Sequence, residues 1–111
     1  MKVIRIYSGD DGESHFEDLT VDRLEELVAR PGEGPITLRQ GPAKVVIDYH
    51  PAPRRQYVTL LSGEVEIETA DGSTRRVVRG DVIVAEDLTG RGHIFRGVGE
   101  EPRVTLAIPL G

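Results

Sequence analysis

The chain has 111 residues and a formal net charge of −5, with 14 lysines and arginines against 19 aspartates and glutamates. This length is typical of one domain with its own hydrophobic core. The acidic balance argues against a nucleic-acid-binding protein, which needs a basic face. Because cysteine is absent, disulfides, thiolate metal sites and a cysteine nucleophile are excluded.

The sequence has no pattern typical of a membrane or secretory segment. No apolar stretch approaches the ~18 residues that a bilayer-spanning helix requires. The first eight residues, MKVIRIYS, lack the apolar region of a signal peptide. We therefore expect a soluble, cytoplasmic protein that binds neither nucleic acid nor a membrane.

The first 35 residues predict an N-terminal arm with a loop and one short helix. Residues 8–18, SGDDGESHFED, have the composition of an acidic loop. We expect His15 in this loop to be solvated; the alternative is a ligand or lid role, if the loop folds over the mouth of a barrel. Thr20 is a suitable N-cap for a helix, and Pro31 and Gly32 follow its expected end. The apolar positions that share one face of this helix are Val21, Leu24, Leu27 and Val28.

From residue 36 onward the sequence predicts a series of short strands. They are separated by glycine and proline turns, and they are 36–38, 44–50, 56–61, 64–69, 75–79, 82–85, 93–98 and 103–108. Segment 64–69 alternates glutamates with apolar residues and threonine, which indicates a sheet with one solvated face. Asp71-Gly72 is typical of a tight hairpin turn. The sequence therefore predicts a single all-β domain over 1–111, with residues 36–111 as a sandwich or barrel core.

The stretch from His50 to Gly63, HPAPRRQYVTLLSG, resembles the first motif of the cupin family. That motif has two histidines one residue apart, a glutamate four residues later and a glycine seven after that. His50 takes the first histidine position and Gly63 the glycine position. Ala52 replaces the second histidine, and Gln56 replaces the glutamate.

The stretch from Gly80 to His93, GDVIVAEDLTGRGH, resembles the second cupin motif. The Gly-Asp turn at its start fits the motif, whereas Glu86 and Leu88 stand at the usual proline and glycine positions. Strict counting assigns the motif's histidine to Arg91, and His93 follows two residues later. Either residue is therefore a candidate for the inner position.

The resemblance covers about residues 36–111 and implies a cupin double-stranded β-helix, that is, a jelly-roll barrel with a ligand site inside. It also implies a homodimer, which is common in the family. The family's glutamate points into the barrel, so the resemblance implies the same for Gln56, and strand alternation would add Val58 and Leu60. His50 and His93 would then converge with Gln56 in one cavity.

Two kinds of site are compatible with these residues. The first is a metal-free cavity for a small polar or anionic molecule, because guanidinium groups bind carboxylate or phosphate bidentately. Its residues would be His50, Arg54, Gln56, Arg91, His93 and Phe95. The second is a divalent metal site for Fe, Mn, Ni, Cu or Zn, with two imidazoles and one amide oxygen as ligands. Its ligands would be His50, Gln56 and His93, oriented by a neighbouring carboxylate such as Asp48 or Glu86.

Three functions follow from these alternatives. The replaced ligand positions favour a protein that binds a small molecule without turnover. The alternative is a metal-dependent enzyme, a dioxygenase, isomerase or lyase, acting on a small oxygenated substrate. The third is an assembly module without a ligand, held as a homodimer by outward apolar faces.

Overall fold

The computed structural model describes all 111 residues, as ten β-strands and one helix. The helix is α1 (Val21–Val28). The strands are β1 (Val3–Ser8), β2 (Ser14–Leu19), β3 (Thr37–Gly41), β4 (Val46–His50), β5 (Gln56–Ser62), β6 (Glu64–Thr69), β7 (Thr74–Val78), β8 (Val82–Glu86), β9 (His93–Val98) and β10 (Arg103–Pro109).

The strands form two sheets that pack face to face. The six-stranded sheet has the order β2-β1-β8-β5-β10-β3, and the four-stranded sheet has the order β4-β9-β6-β7. Only β1 and β8 are parallel. No strand ladder joins the two sheets, so the molecule is a sandwich and not a barrel closed by hydrogen bonds. The all-β prediction is confirmed.

The eight strands from β3 to β10 pair in a nested way, as if one long hairpin had been folded over. β3 pairs with β10, β4 with β9, β5 with β8, and β6 with β7. The chain changes sheet at every connection of this part except the hairpin between β6 and β7. That hairpin contains the predicted Asp71-Gly72 turn, where Gly72 has a φ of 86°. Each sheet therefore contains strands from the first half of this region, β3–β6, and from its second half, β7–β10.

The first 35 residues contain more regular structure than the sequence predicted. The prediction of an acidic loop over residues 8–18 is wrong from Ser14 onward, because Ser14–Leu19 is strand β2. This strand lies at a sheet edge, where exposed acidic side chains are tolerated. Strand β1, which the sequence reading also missed, lies between β2 and β8 with Ile4 and Ile6 buried. Strands β1 and β2 are therefore part of the larger sheet, and α1 follows them.

The predicted helix is confirmed with its cap. The Thr20 hydroxyl oxygen accepts a hydrogen bond from the backbone N–H of Arg23 at 3.1 Å. Leu24 is buried, whereas Val21 and Val28 remain exposed, so only part of the predicted apolar face is covered. No helix of the chain has the length and apolar character needed to cross a membrane.

The buried apolar residues form two groups, on opposite faces of the six-stranded sheet. The larger group lies between the sheets and contains Ile4, Ile6, Ala52, Leu60, Val65, Ile67, Val77, Ile83 and Ala85. The smaller group packs against the helix and contains Val3, Leu24, Val82, Val84 and Leu110. Strand β8 supplies alternate residues to both groups, which explains why its sequence is entirely apolar from residue 82 to 85.

Candidate ligand-binding cavity

A cavity of about 150 Å³ lies between the two sheets, next to the larger core group. Most of its wall is aliphatic. The polar side chains that line it are Arg39, His50, Gln56, His93, Arg103 and Thr105. An apolar wall with a few polar groups is typical of a small-molecule site.

The pairing of β4 with β9 brings two histidines together at one end of the cavity. His50 and His93 are register partners, and their ring centroids are 4.7 Å apart. The register of β4 shifts between Ile47 and His50. Strict alternation would place Ile47 and His50 on opposite faces of the sheet, but the shift allows both of them to line the cavity. We call this region the histidine end.

A glycine permits this close approach of the two strands. Gly92 has a φ of 82°, and a Cβ atom built on it would overlap the carbonyl group of His50. Only glycine therefore fits beside the histidine pair without a shift of the backbone.

Each of the two imidazoles is held through its Nδ1 atom. The Nδ1 of His93 lies 2.7 Å from Oδ2 of Asp87, and that of His50 lies 2.8 Å from the backbone carbonyl oxygen of Asp48. Both oxygens are acceptors, so each Nδ1 carries the proton and donates it. The Nε2 atom of each ring then remains available to a ligand.

The carboxylate behind His93 is fully buried. Asp87 is 0 % exposed, and its Oδ2 also accepts a hydrogen bond from the Ser14 hydroxyl at 2.5 Å. Its Oδ1 has no hydrogen-bond partner. His93 is the only basic side chain that contacts this carboxylate. Asp87 therefore holds the orientation of the His93 ring.

Sequence reasoning missed Asp87 and named its neighbour. The carboxylate of Glu86 instead binds Arg5 at 3.1 Å and Arg55 at 2.9 Å, away from the histidines. The carboxylate of Asp48 accepts from the Tyr49 backbone N–H. Glu86 and Asp87 are adjacent acidic residues at the end of β8, and the sequence contains no pattern that indicates which of them points towards the histidines.

The other end of the cavity, which we call the arginine end, contains two guanidinium groups. Arg39 on β3 is the register partner of Thr105, and Arg103 is that of Gly41. The Arg103 guanidinium lies over the Phe95 ring, 5.1 Å from its centroid. Burial lowers the pKa of Arg103, and the neighbouring charge of Arg39 lowers it further. Both side chains remain cations at neutral pH.

Neither of these cations has an acidic partner. The arginines that make ion pairs with carboxylates are Arg5, Arg23, Arg55, Arg75, Arg76, Arg91 and Arg96. Arg39 and Arg103 are not among them, and the buried Nε of Arg103 has no hydrogen-bond partner. Sequence analysis did not select either residue, because only the fold of β3 against β10 brings them together.

The structure brings four of the six predicted binding residues to the cavity and leaves two outside. The four are His50, Gln56, His93 and Phe95. Arg91 is exposed and forms an ion pair with Glu13 at 2.7 Å, so His93 and not Arg91 lines the cavity. Arg54 lies beside the cavity and donates a hydrogen bond from Nε to Oε1 of Gln56 at 3.0 Å.

The donor set falls short of a metal site. No group of three His, Cys, Asp or Glu side chains is arranged to hold a metal ion. Ala52 lines the cavity at the position of the motif's second histidine, and the Gln56 oxygen is engaged by Arg54. Two imidazoles alone do not supply the three or four protein ligands of a stable site. These residues therefore do not fit a resident metal.

The third histidine lies outside the cavity. His15 is on β2, with its Nε2 atom 2.9 Å from Asp11 and its Nδ1 atom 3.8 Å from Asp71. The hydrogen bond to Asp11 raises the pKa of His15. This histidine belongs to a surface ion-pair cluster.

No family model matches the chain, and no curated protein matches it significantly. The geometry of the cavity is thus the basis for any functional conclusion.

Proposed function

We propose that the chain is a cupin-type jelly-roll protein that binds a small organic anion in the cavity between its sheets. The nested pairing of eight antiparallel strands supports this architecture, since a jelly roll is a double sheet of eight strands. His50 holds the first histidine position of the first motif, and His93 lies two residues after the histidine position of the second. Their place on the cavity wall supports the proposal as well.

The observation that carries the anion proposal is the pair of cations at the arginine end. Arg39 and Arg103 lack an acidic partner in a chain with 19 carboxylate residues. The Arg103 guanidinium is partly out of water, which is costly unless an anion compensates it, whereas Arg39 is an exposed second cation beside it. A carboxylate can accept bidentate hydrogen bonds from a guanidinium and supply that compensation.

The rest of the wall defines the body of the ligand. The aliphatic residues and the Phe95 ring offer an apolar surface between the arginine and histidine ends. An engineered apolar cavity of about 150 Å³ accommodates benzene. The ligand is therefore a small carboxylic acid with a short aliphatic or aromatic body, and its second polar group faces the histidines. We do not propose the metal-dependent alternative, because the donor set does not fit it.

The experiment is a calorimetric titration with small carboxylates, such as benzoate, 2-oxobutanoate and phenylpyruvate. The Arg39→Gln/Arg103→Gln variant should bind the best of them at least about tenfold more weakly than wild type, since charge-assisted hydrogen bonds are lost. A matched control is Arg30→Gln/Arg79→Gln, which removes two exposed positive charges outside the cavity. Equal affinity in all three proteins, or no binding of any carboxylate, would contradict the proposal.

The same proposal includes a homodimer. Ile36, Leu38 and Val46 are 63 %, 58 % and 66 % exposed, and the last two lie on the edge strands β3 and β4. A sheet edge with exposed apolar side chains is protected when a second copy covers it. Sedimentation velocity at tens of micromolar should give a dimer for wild type and a monomer for Leu38→Lys. A wild-type monomer at that concentration would refute this part.

A further inference from the structure

The histidine end contains more than the binding of an anion requires. Burying a carboxylate such as Asp87 is unfavourable unless its charge is compensated. The Asp87 carboxylate contacts only the Ser14 hydroxyl and the Nδ1–H of His93, so its role in the fold is to orient the His93 ring. A carboxylate in this position holds an imidazole with Nε2 free and stabilises the imidazolium that forms when Nε2 takes a proton.

We propose that His93 is a general base that removes a proton from the carbon next to the carbonyl group of a small oxo acid. This inference rests on the proposed function, because Arg39 and Arg103 hold the carboxylate of that acid. His93 is the catalytic residue, and Asp87 is a positioning residue that acts through it.

The neighbouring imidazole completes the reaction. The Nδ1 of His50 donates to the Asp48 carbonyl group, so a protonated His50 has an N–H at Nε2 to offer to the carbonyl oxygen of the oxo acid. The C–H bond breaks and its proton goes to Nε2 of His93. The electron pair forms the C=C bond, and the carbonyl oxygen takes the proton of His50. The product is the enol of the same acid. After the enol leaves, His93 releases its extra proton to solvent and His50 takes one from solvent, which restores the two rings.

This keto–enol tautomerisation balances without an oxidant, a reductant or a metal. It therefore agrees with a site whose donor set does not fit a metal. While the abstracted proton resides on His93, it can exchange with solvent. The reaction thus predicts exchange of the C–H hydrogen even where the keto form dominates at equilibrium.

The spacing of the two ends selects the substrate class. His93 and Phe95 lie two residues apart on the same face of β9, about 7 Å along the strand. Arg103 lies over the Phe95 ring. A substrate that reaches both ends therefore has its carboxylate and its acidic carbon a few bonds apart, as in a 2-oxo acid, where they are C1 and C3.

The test is hydrogen–deuterium exchange followed by proton NMR in D₂O, with 2-oxobutanoate and phenylpyruvate as probes and EDTA present. Wild type should accelerate exchange at C3 by about 100-fold or more over buffer, which is the usual contribution of a general base. The His93→Gln variant should fall to the buffer rate. The Asp87→Asn variant should lose about tenfold or more in kcat with KM unchanged, because it leaves the arginine end intact. The Arg30→Gln/Arg79→Gln protein should match wild type.

Binding of the same probes is measured in parallel by calorimetry, and this separates the two proposals. An oxo acid that binds wild type but exchanges at the buffer rate overturns the base and leaves the binding function standing. Binding of benzoate without binding of either oxo acid also overturns this inference. Exchange that requires a metal, and so disappears with EDTA, overturns it as well. If no carboxylate binds, both proposals fail.

Discussion

The two ends of the cavity differ in how completely the protein satisfies its own polar groups. At the histidine end, Asp87 and the Asp48 carbonyl group fix both rings through Nδ1. At the arginine end, neither Arg39 nor Arg103 forms an ion pair with a carboxylate. One end is thus preorganised by the protein, whereas the other keeps two cations without an ion pair.

The backbone shows the same contrast. The histidines lie where β4 and β9 approach so closely that only Gly92 fits between them. Arg39 lies on β3, an edge strand that pairs with β10 on one side only. Close packing therefore makes the histidine end sensitive to small changes.

The largest effect is expected from Gly92→Ala, which breaks the histidine end. An alanine at this position must adopt a left-handed backbone conformation, and its Cβ must displace the His50 carbonyl group. We therefore expect a loss of about 4 kcal/mol in the free energy of unfolding. The matched control is Gly72→Ala, because Gly72 has a similar φ of 86° but open space around it. Only the backbone cost, about 1 kcal/mol, applies there. If urea unfolding gave equal losses for the two variants, the close approach of the strands at Gly92 would not contribute to the cost of the substitution.

A gain of metal binding is expected from Ala52→His/Gln56→Glu. This variant would add an imidazole and a carboxylate to the two histidines, which completes a four-ligand set. Elemental analysis after exposure to Zn²⁺ or Ni²⁺ should give about one metal per chain in the variant and much less in wild type. Adding His93→Gln to the variant should remove most of the bound metal. If the double variant stays metal-free, the Nε2 atoms of His50 and His93 do not both point into the cavity.

A smaller effect, of opposite sign, is expected at the arginine end. Arg103→Met removes a half-buried cation without a partner, so the free energy of unfolding should stay unchanged or rise by about 0.5–1 kcal/mol. Carboxylate affinity should nevertheless fall. The control is Arg96→Met, because the Arg96 guanidinium binds Glu68 at 2.9 Å and its loss should destabilise slightly. A larger loss of stability for Arg103→Met than for the control would mean that the protein already compensates the Arg103 charge.

The smallest effect concerns the histidine outside the cavity. Asp11 raises the pKa of His15 through a hydrogen bond, and the charges of Asp11, Asp71 and Glu13 add to this. A raised pKa in the folded state contributes stability below the ordinary value of 6.5, and this contribution is lost as the pH rises through the folded value. As the pH rises from 6.5 through the folded value, the unfolding free energy should therefore decline less steeply in His15→Gln than in wild type. Parallel curves would exclude this contact as a source of pH dependence.

Sequence patterns predicted the elements that have a local signal. The alternation of β6, the Asp71-Gly72 turn and the Thr20 cap each depend on residues close together in the chain, and the structure confirms them. Strand β2 was missed because its polar side chains suit a sheet edge and a loop equally well. Period and composition do not distinguish those two environments.

The cavity was predicted only in part, for a related reason. Gln56 and His93 follow from the family resemblance and strand alternation. The facing of His50 depends on a register shift in β4, which alternation does not predict. Arg39 and Arg103 come together because β3 pairs with β10, more than 60 residues later in the chain. Asp87 and Glu86 are adjacent acidic residues, and only the direction of the side chain decides which one reaches His93. Such choices are made by tertiary packing and not by local sequence.

The nested strand pairing has a consequence for folding. The hairpin of β6 and β7 closes the shortest loop, and each further pair, outward to β3 with β10, closes a longer one at a greater entropic cost. The histidines belong to the third pair from the hairpin, and Arg39 and Arg103 belong to the outermost pair. We therefore expect the cavity to be assembled from the histidine end towards the arginine end, so that the two arginines come together only after the histidine pair has formed.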